Sequence, residues 1–207
     1  MAVPHTEQVS FHESGHLVTG YRSALMTPYE IYLETEPGEL DGHLGANENE
    51  IPNAPEAVVR TTYAGPLAEM KRLAIDEFGA GTLFDLTDVA ADLLSPNGHE
   101  GQIRLRFFQD GEPHQLTVAA APFGTDINQV RLIIEQGHLT EEQVGEQLRQ
   151  VRDDLDGPHI WAQIQRAVEL LLAAPDWQVT RKGFHIASIA GFLANLDAVP
   201  NPEPPPG

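Results

Sequence analysis

Near the N-terminus the period of the apolar positions changes at Pro28. Before it, Val9, Phe11, Val18, Tyr21 and Leu25 recur at spacings that suit one face of a helix, with Thr6 as a candidate N-cap and Glu7 in the first turn. After it, Tyr29 to Glu34 alternates apolar and polar residues and is rich in aromatic and β-branched types, which predicts a strand ending at the turn Glu36-Pro37-Gly38. Gly42 to Gly45 reads as a short partner strand. A second helix is expected from Asn53, where Val59, Tyr63, Leu67, Met70 and Leu73 form a stripe at spacings of three and four. Pro66 lies inside it and predicts a kink or a break.

Ala80 to Leu94 holds a glycine-containing turn, Asp85, and a short helical run stopped at Ser95-Pro96-Asn97-Gly98. Residues 102–108 and 114–121 alternate on either side of Asp110-Gly111, a β-hairpin signal. Three helical patterns follow, over Asp126–Gln136, Thr140–Leu155 and His159–Ala174, the second opened by the capping box Thr140-Glu141-Glu142-Gln143. A last helix is expected over His185–Leu196. The fold class is therefore mainly α within α+β: one domain over 1–197, carrying a small sheet and a hairpin inserted at 98–122. Residues 198–207 are too rich in proline to build a core element and read as a disordered or polyproline extension.

Composition narrows the partners. The 207 residues carry a formal charge of -19, which repels nucleic acid and anionic membrane surfaces. No segment has the length and apolarity of a membrane span or the pattern of a leader, so the chain reads as cytoplasmic. Cysteine is absent, and any metal must be held by histidines and carboxylates.

Against that background the first helix carries His12-Glu13-Ser14-Gly15-His16, an HExxH pattern. Two imidazoles four residues apart share a helix face and can hold one ion, with Glu13 placed to take a proton from metal-bound water. A zinc-type site needs a third protein ligand and keeps its fourth position for water. Gly15 and Gly20 weaken the helix by roughly 1 kcal/mol each, which suggests close approach of another backbone or a ligand.

HESGH, the strand after it, Leu44-Gly45 and Ala64-Gly65-Pro66-Leu67-Ala68-Glu69 together resemble the peptidase domain of FtsH-type zinc proteases, over residues 8–94 and 124–174. The resemblance implies a zinc metallopeptidase with Glu13 as general base and an aspartate at the start of a later helix as third ligand. Two aspartates fit. Asp85 follows AGPLAE at the family's usual distance, whereas Asp126 opens the helix that runs toward Ile160-Trp161-Ala162-Gln163-Ile164 in the family's order. Glu69 is a further candidate.

The family's ATPase module and membrane anchor have no counterpart in this sequence, so the expected substrates are peptides or unfolded protein, cut without ATP. An edge strand near 29–34 or 42–46 could bind them by strand addition. Association with a second copy or a partner protein is left open. A catalytically inactive zinc module for regulation or protein interaction is the alternative reading. The remaining histidines are expected to be solvated or hydrogen-bonded, and Trp161 and Trp177 to pack.

Overall fold

The computed structural model describes residues 5–23, 26–36, 39–46, 55–85, 101–174, 181–184 and 186–201. In chain order these form α1 (His5–Arg22), β1 (Pro28–Glu36), β2 (Glu39–Ala46), α2 (Pro55–Phe78), β3 (Leu83–Asp85), β4 (Gln102–Gln109) and β5 (Glu112–Ala119). A 3-10 turn over Ala121–Phe123 leads into α3 (Gly124–Glu135), α4 (Glu141–Asp156), α5 (Pro158–Ala173), β6 (Arg181–Phe184) and α6 (Ile186–Asp197). The architecture is mainly helical with two small antiparallel sheets. Among the described residues no helix is long and apolar enough to cross a membrane.

The centre of the molecule is the crossing of α1 on α2. A Cβ on Gly15 would stand 2.3 Å from the Ala64 carbonyl oxygen, so only glycine lets the two backbones come this close. Gly20 has a different role from the one expected, because it makes room for the Met26 side chain. On the far side of α1 lies the sheet β2-β1-β6, with Tyr32 opposite His43 and Leu33 opposite Lys182. Among the described residues β1 is its central strand, so of the two candidate edges only the 42–46 segment lies at an edge.

The second sheet runs β3-β4-β5. Its hairpin closes on Asp110 and Gly111, with φ of 52° and 84°, the left-handed pair that a two-residue turn matching strand twist requires. Along β4, Ile103, Leu105 and Phe107 are buried while the intervening residues are exposed, the period-two pattern of a sheet with one wet face. A single apolar cluster links both sheets to the helices, with Leu17, Ile31, Leu67, Phe107, Ile127 and Leu148 among its members.

Two further expectations need correcting. Helix α1 already includes His5 and Thr6, so Thr6 is not its cap; its carbonyl accepts from the Ser10 hydroxyl at 2.7 Å. Pro66 does not break α2, which continues through it. A helix that packs against α1, α3 and α4 outweighs the loss of about 3 kcal/mol that an interior proline costs. The hairpin also gains a third strand, the short β3, that the sequence did not signal. The capping box at Thr140 forms in both directions, and Trp161 packs, stacked on Phe11 at 5.4 Å. The helical run after Asp85, Trp177 and the proline-rich tail from 202 onward lie outside the described residues.

Candidate metal centre

The spacing of His12 and His16 sets the two rings one helical turn apart, 4.7 Å between centroids and nearly perpendicular at 78°. Asp126, in the first turn of α3, meets both. Its Oδ2 lies 3.2 Å from His12 Nε2, and its Oδ1 lies 3.7 Å from His16 Nε2. With metal bonds of 2.0–2.2 Å, the edge of a tetrahedral zinc site is roughly 3.3–3.6 Å. One ligand atom from each residue lies within 4.8 Å of the other two, so the three residues form a group that could hold a metal ion. Two imidazoles and a carboxylate are a donor set that suits zinc.

Their other ring nitrogens are engaged. His12 Nδ1 stands 3.2 Å from Glu69 Oε2 on α2, and His16 Nδ1 donates to the Thr61 carbonyl at 2.8 Å. Each bond favours the tautomer whose Nε2 is left for a metal. Phe123, at the N-cap of α3, lies parallel to the His12 ring at 6.0 Å and 9°. Gly65 is required for the placement of His16, because a Cβ there would stand 2.3 Å from Nε2.

The two imidazoles differ in proton affinity. Burial works against a charged His12, but hydrogen bonds to Asp126 and Glu69, with the charges of Asp126 and Glu13, outweigh it and raise the pKa to about 10. At His16 burial and the neighbouring positive His12 prevail over Asp126, and the pKa falls below its ordinary value. Without a metal, His12 is therefore held in its charged form between Glu69 at Nδ1 and Asp126 at Nε2.

Glu13 is one residue from the first imidazole and 8% exposed. Its side chain is packed where a Cβ on Gly42 would have to go, 2.4 Å from its Cγ, so β2 passes directly over it. Asp85 is placed elsewhere. Positive-φ turns at Gly79 (109°) and Gly81 (88°) lead the chain into β3, where Asp85 pairs in register with Arg106 of the second sheet. It is not part of the group around the two imidazoles, and neither is Glu69, which stands behind His12.

Sequence reasoning did not identify the Thr61 carbonyl, Phe123 or the contact of Gly42 with Glu13. A main-chain acceptor leaves no trace in residue type, and a phenylalanine before a helix looks like ordinary core. The sequence matches no protein family and no curated protein.

Proposed function

We propose that the chain is a zinc-dependent metallopeptidase of the FtsH kind, acting without ATP on peptides or unfolded protein. The observation that carries this reading is the meeting of His12, His16 and Asp126 from two helices, with Glu13 in the same turn of α1. His12, His16 and Asp126 would hold the ion and leave a fourth position open to water. An ion held there would supply Lewis acidity and lower the pKa of bound water toward about 7. Glu13 would take that proton onto its carboxylate and deliver it to the leaving amine. Glu69 and the Thr61 carbonyl hold the rings in the required tautomers. Strand β2, over Glu13 and at the edge of its sheet among the described residues, supports strand addition of an extended substrate.

One observation favours a second reading, a zinc module that does not cleave: Glu13 lies almost wholly under β2. The two readings separate in a metal analysis combined with a casein-type assay on the parent and Glu13→Gln. The peptidase reading expects one zinc per chain in both proteins and cleavage in the parent alone. Zinc without cleavage in the parent would favour the second reading. Equal cleavage by the two proteins would remove Glu13 as the base, and a parent without stoichiometric metal would exclude both readings.

A further inference from the structure

Strand interiors disfavour glycine, which has no side chain to pack and loses more freedom on folding than any other residue. Gly42 nevertheless lies inside β2, in register with the buried Leu33 of β1. It is not among the glycines of positive φ, so its backbone conformation is open to any residue. The reason for glycine at this position lies in what surrounds it.

A Cβ added to Gly42 would collide with Glu13 Cγ and stand 2.7 Å from Oε1 and 2.8 Å from Cδ. The three atoms that it would meet first all belong to that one side chain. The contrast with Gly15 is instructive, because a Cβ there runs into the Ala64 carbonyl. A collision with backbone strains the packing of two elements, whereas the end of a side chain can turn away by changing rotamer. One extra methyl at position 42 would therefore displace the Glu13 carboxylate and leave α1 and β2 where they are. Glu13 is only 8% exposed, so its rotamer is set by what packs on it.

We propose that Gly42 is a positioning residue for Glu13: the bare backbone of β2 leaves the space that the Glu13 side chain fills, and so fixes the conformation from which the base acts. The inference rests on the peptidase reading above. It adds to that reading a residue from a different element, 29 positions further along the chain. On this account the cover of β2 over Glu13 holds the carboxylate in place rather than retiring it.

The test compares the parent, Gly42→Ala, Glu13→Ala and the double variant. Zinc per chain, kcat and KM on fluorescently labelled casein, and the unfolding temperature of the zinc-saturated proteins are measured in parallel. Gly42→Ala should keep one zinc and a KM within twofold of the parent while kcat falls roughly 100-fold, the scale of a reacting group displaced by about 1 Å. It should lower the unfolding temperature in the parent background but not in Glu13→Ala, where the Cγ that the methyl would meet is gone. A glycine with a merely structural role would give the same fall in both backgrounds. A kcat of Gly42→Ala within twofold of the parent would overturn the inference and leave the peptidase reading standing. Loss of zinc from Gly42→Ala would overturn it as well. So would an equal fall in unfolding temperature, or failure to fold, in both backgrounds, because the methyl would then disturb the strand rather than Glu13. A parent that holds zinc without cleaving casein would overturn the peptidase reading and this role of Gly42 with it.

Discussion

Two buried polar clusters flank α2, and they are built on opposite plans. Around Lys71 every charge finds its partner within the chain. The ammonium donates to the Leu155 carbonyl at 2.7 Å and to Asp156 Oδ1 at 2.6 Å, while Asp156 Oδ2 accepts the Phe84 N–H at 3.2 Å. The rings of Phe84 and Trp161 cover the ammonium at 5.8 and 5.1 Å. This cluster ties the C-terminal end of α4, where the helix dipole favours a cation, to α2, β3 and α5. Around His12 the arrangement is reversed. Asp126 and Glu69 pair with imidazoles, and the ligand atoms of three residues turn toward one another. A cluster closed on itself fixes the fold, whereas two imidazoles and a carboxylate that turn their ligand atoms together form a group that could hold a cation.

The comparison predicts that damage to the two clusters will be read out differently. Lys71→Met leaves Asp156 and the Leu155 carbonyl without their donor. It should cost about 3 kcal/mol of unfolding free energy, the low end for a broken buried pair because Asp156 keeps some contact with water. Zinc bound per folded chain should not change. Denaturant titration and metal analysis check both halves, and a loss of zinc at full occupancy of the fold would join clusters that are here kept apart.

Glu69→Gln reverses the pattern. The amide keeps the shape but loses the charge behind His12, so zinc affinity should fall roughly 10–100-fold. Chelator competition measures it, and an unchanged affinity would make Glu69 a bystander.

A further expected effect is in pH. The His12 pKa is raised in the folded, metal-free protein, from 6.5 to about 10. Its contribution to stability is then fully present below pH 6.5 and lost as the pH rises through about 10. A metal must displace this proton, so zinc affinity should rise with pH across the same window. Binding near neutral pH should release about one proton, measurable by calorimetry in buffers of different ionisation enthalpy. Binding without proton release would show that His12 is neutral before the metal arrives.

What the sequence revealed and what it hid have physical causes. HESGH was legible because two imidazoles and a carboxylate lie within about one turn of one helix, where spacing alone determines geometry. The hairpin was legible because Asp110-Gly111 supplies the two positive φ values its turn needs. The carboxylate that meets the two imidazoles was not, because Asp126 reaches them from α3 only after the chain has passed through the second sheet. Asp85 looked equivalent until β3, three residues long and too short to show a period, placed it opposite Arg106. β6 was hidden for the same reason. Of the kink or break expected at Pro66, the break is absent, because local propensity was weighed without the three helices that pack on α2.

The central claim is that His12, His16 and Asp126 form one zinc site, and metal content tests it most directly. Parent, Asp126→Ala and Asp85→Ala should be purified in parallel and their zinc counted against folded protein. The account predicts one zinc per chain in the parent and in Asp85→Ala, and none in Asp126→Ala. Zinc retained by Asp126→Ala and lost from Asp85→Ala would contradict it.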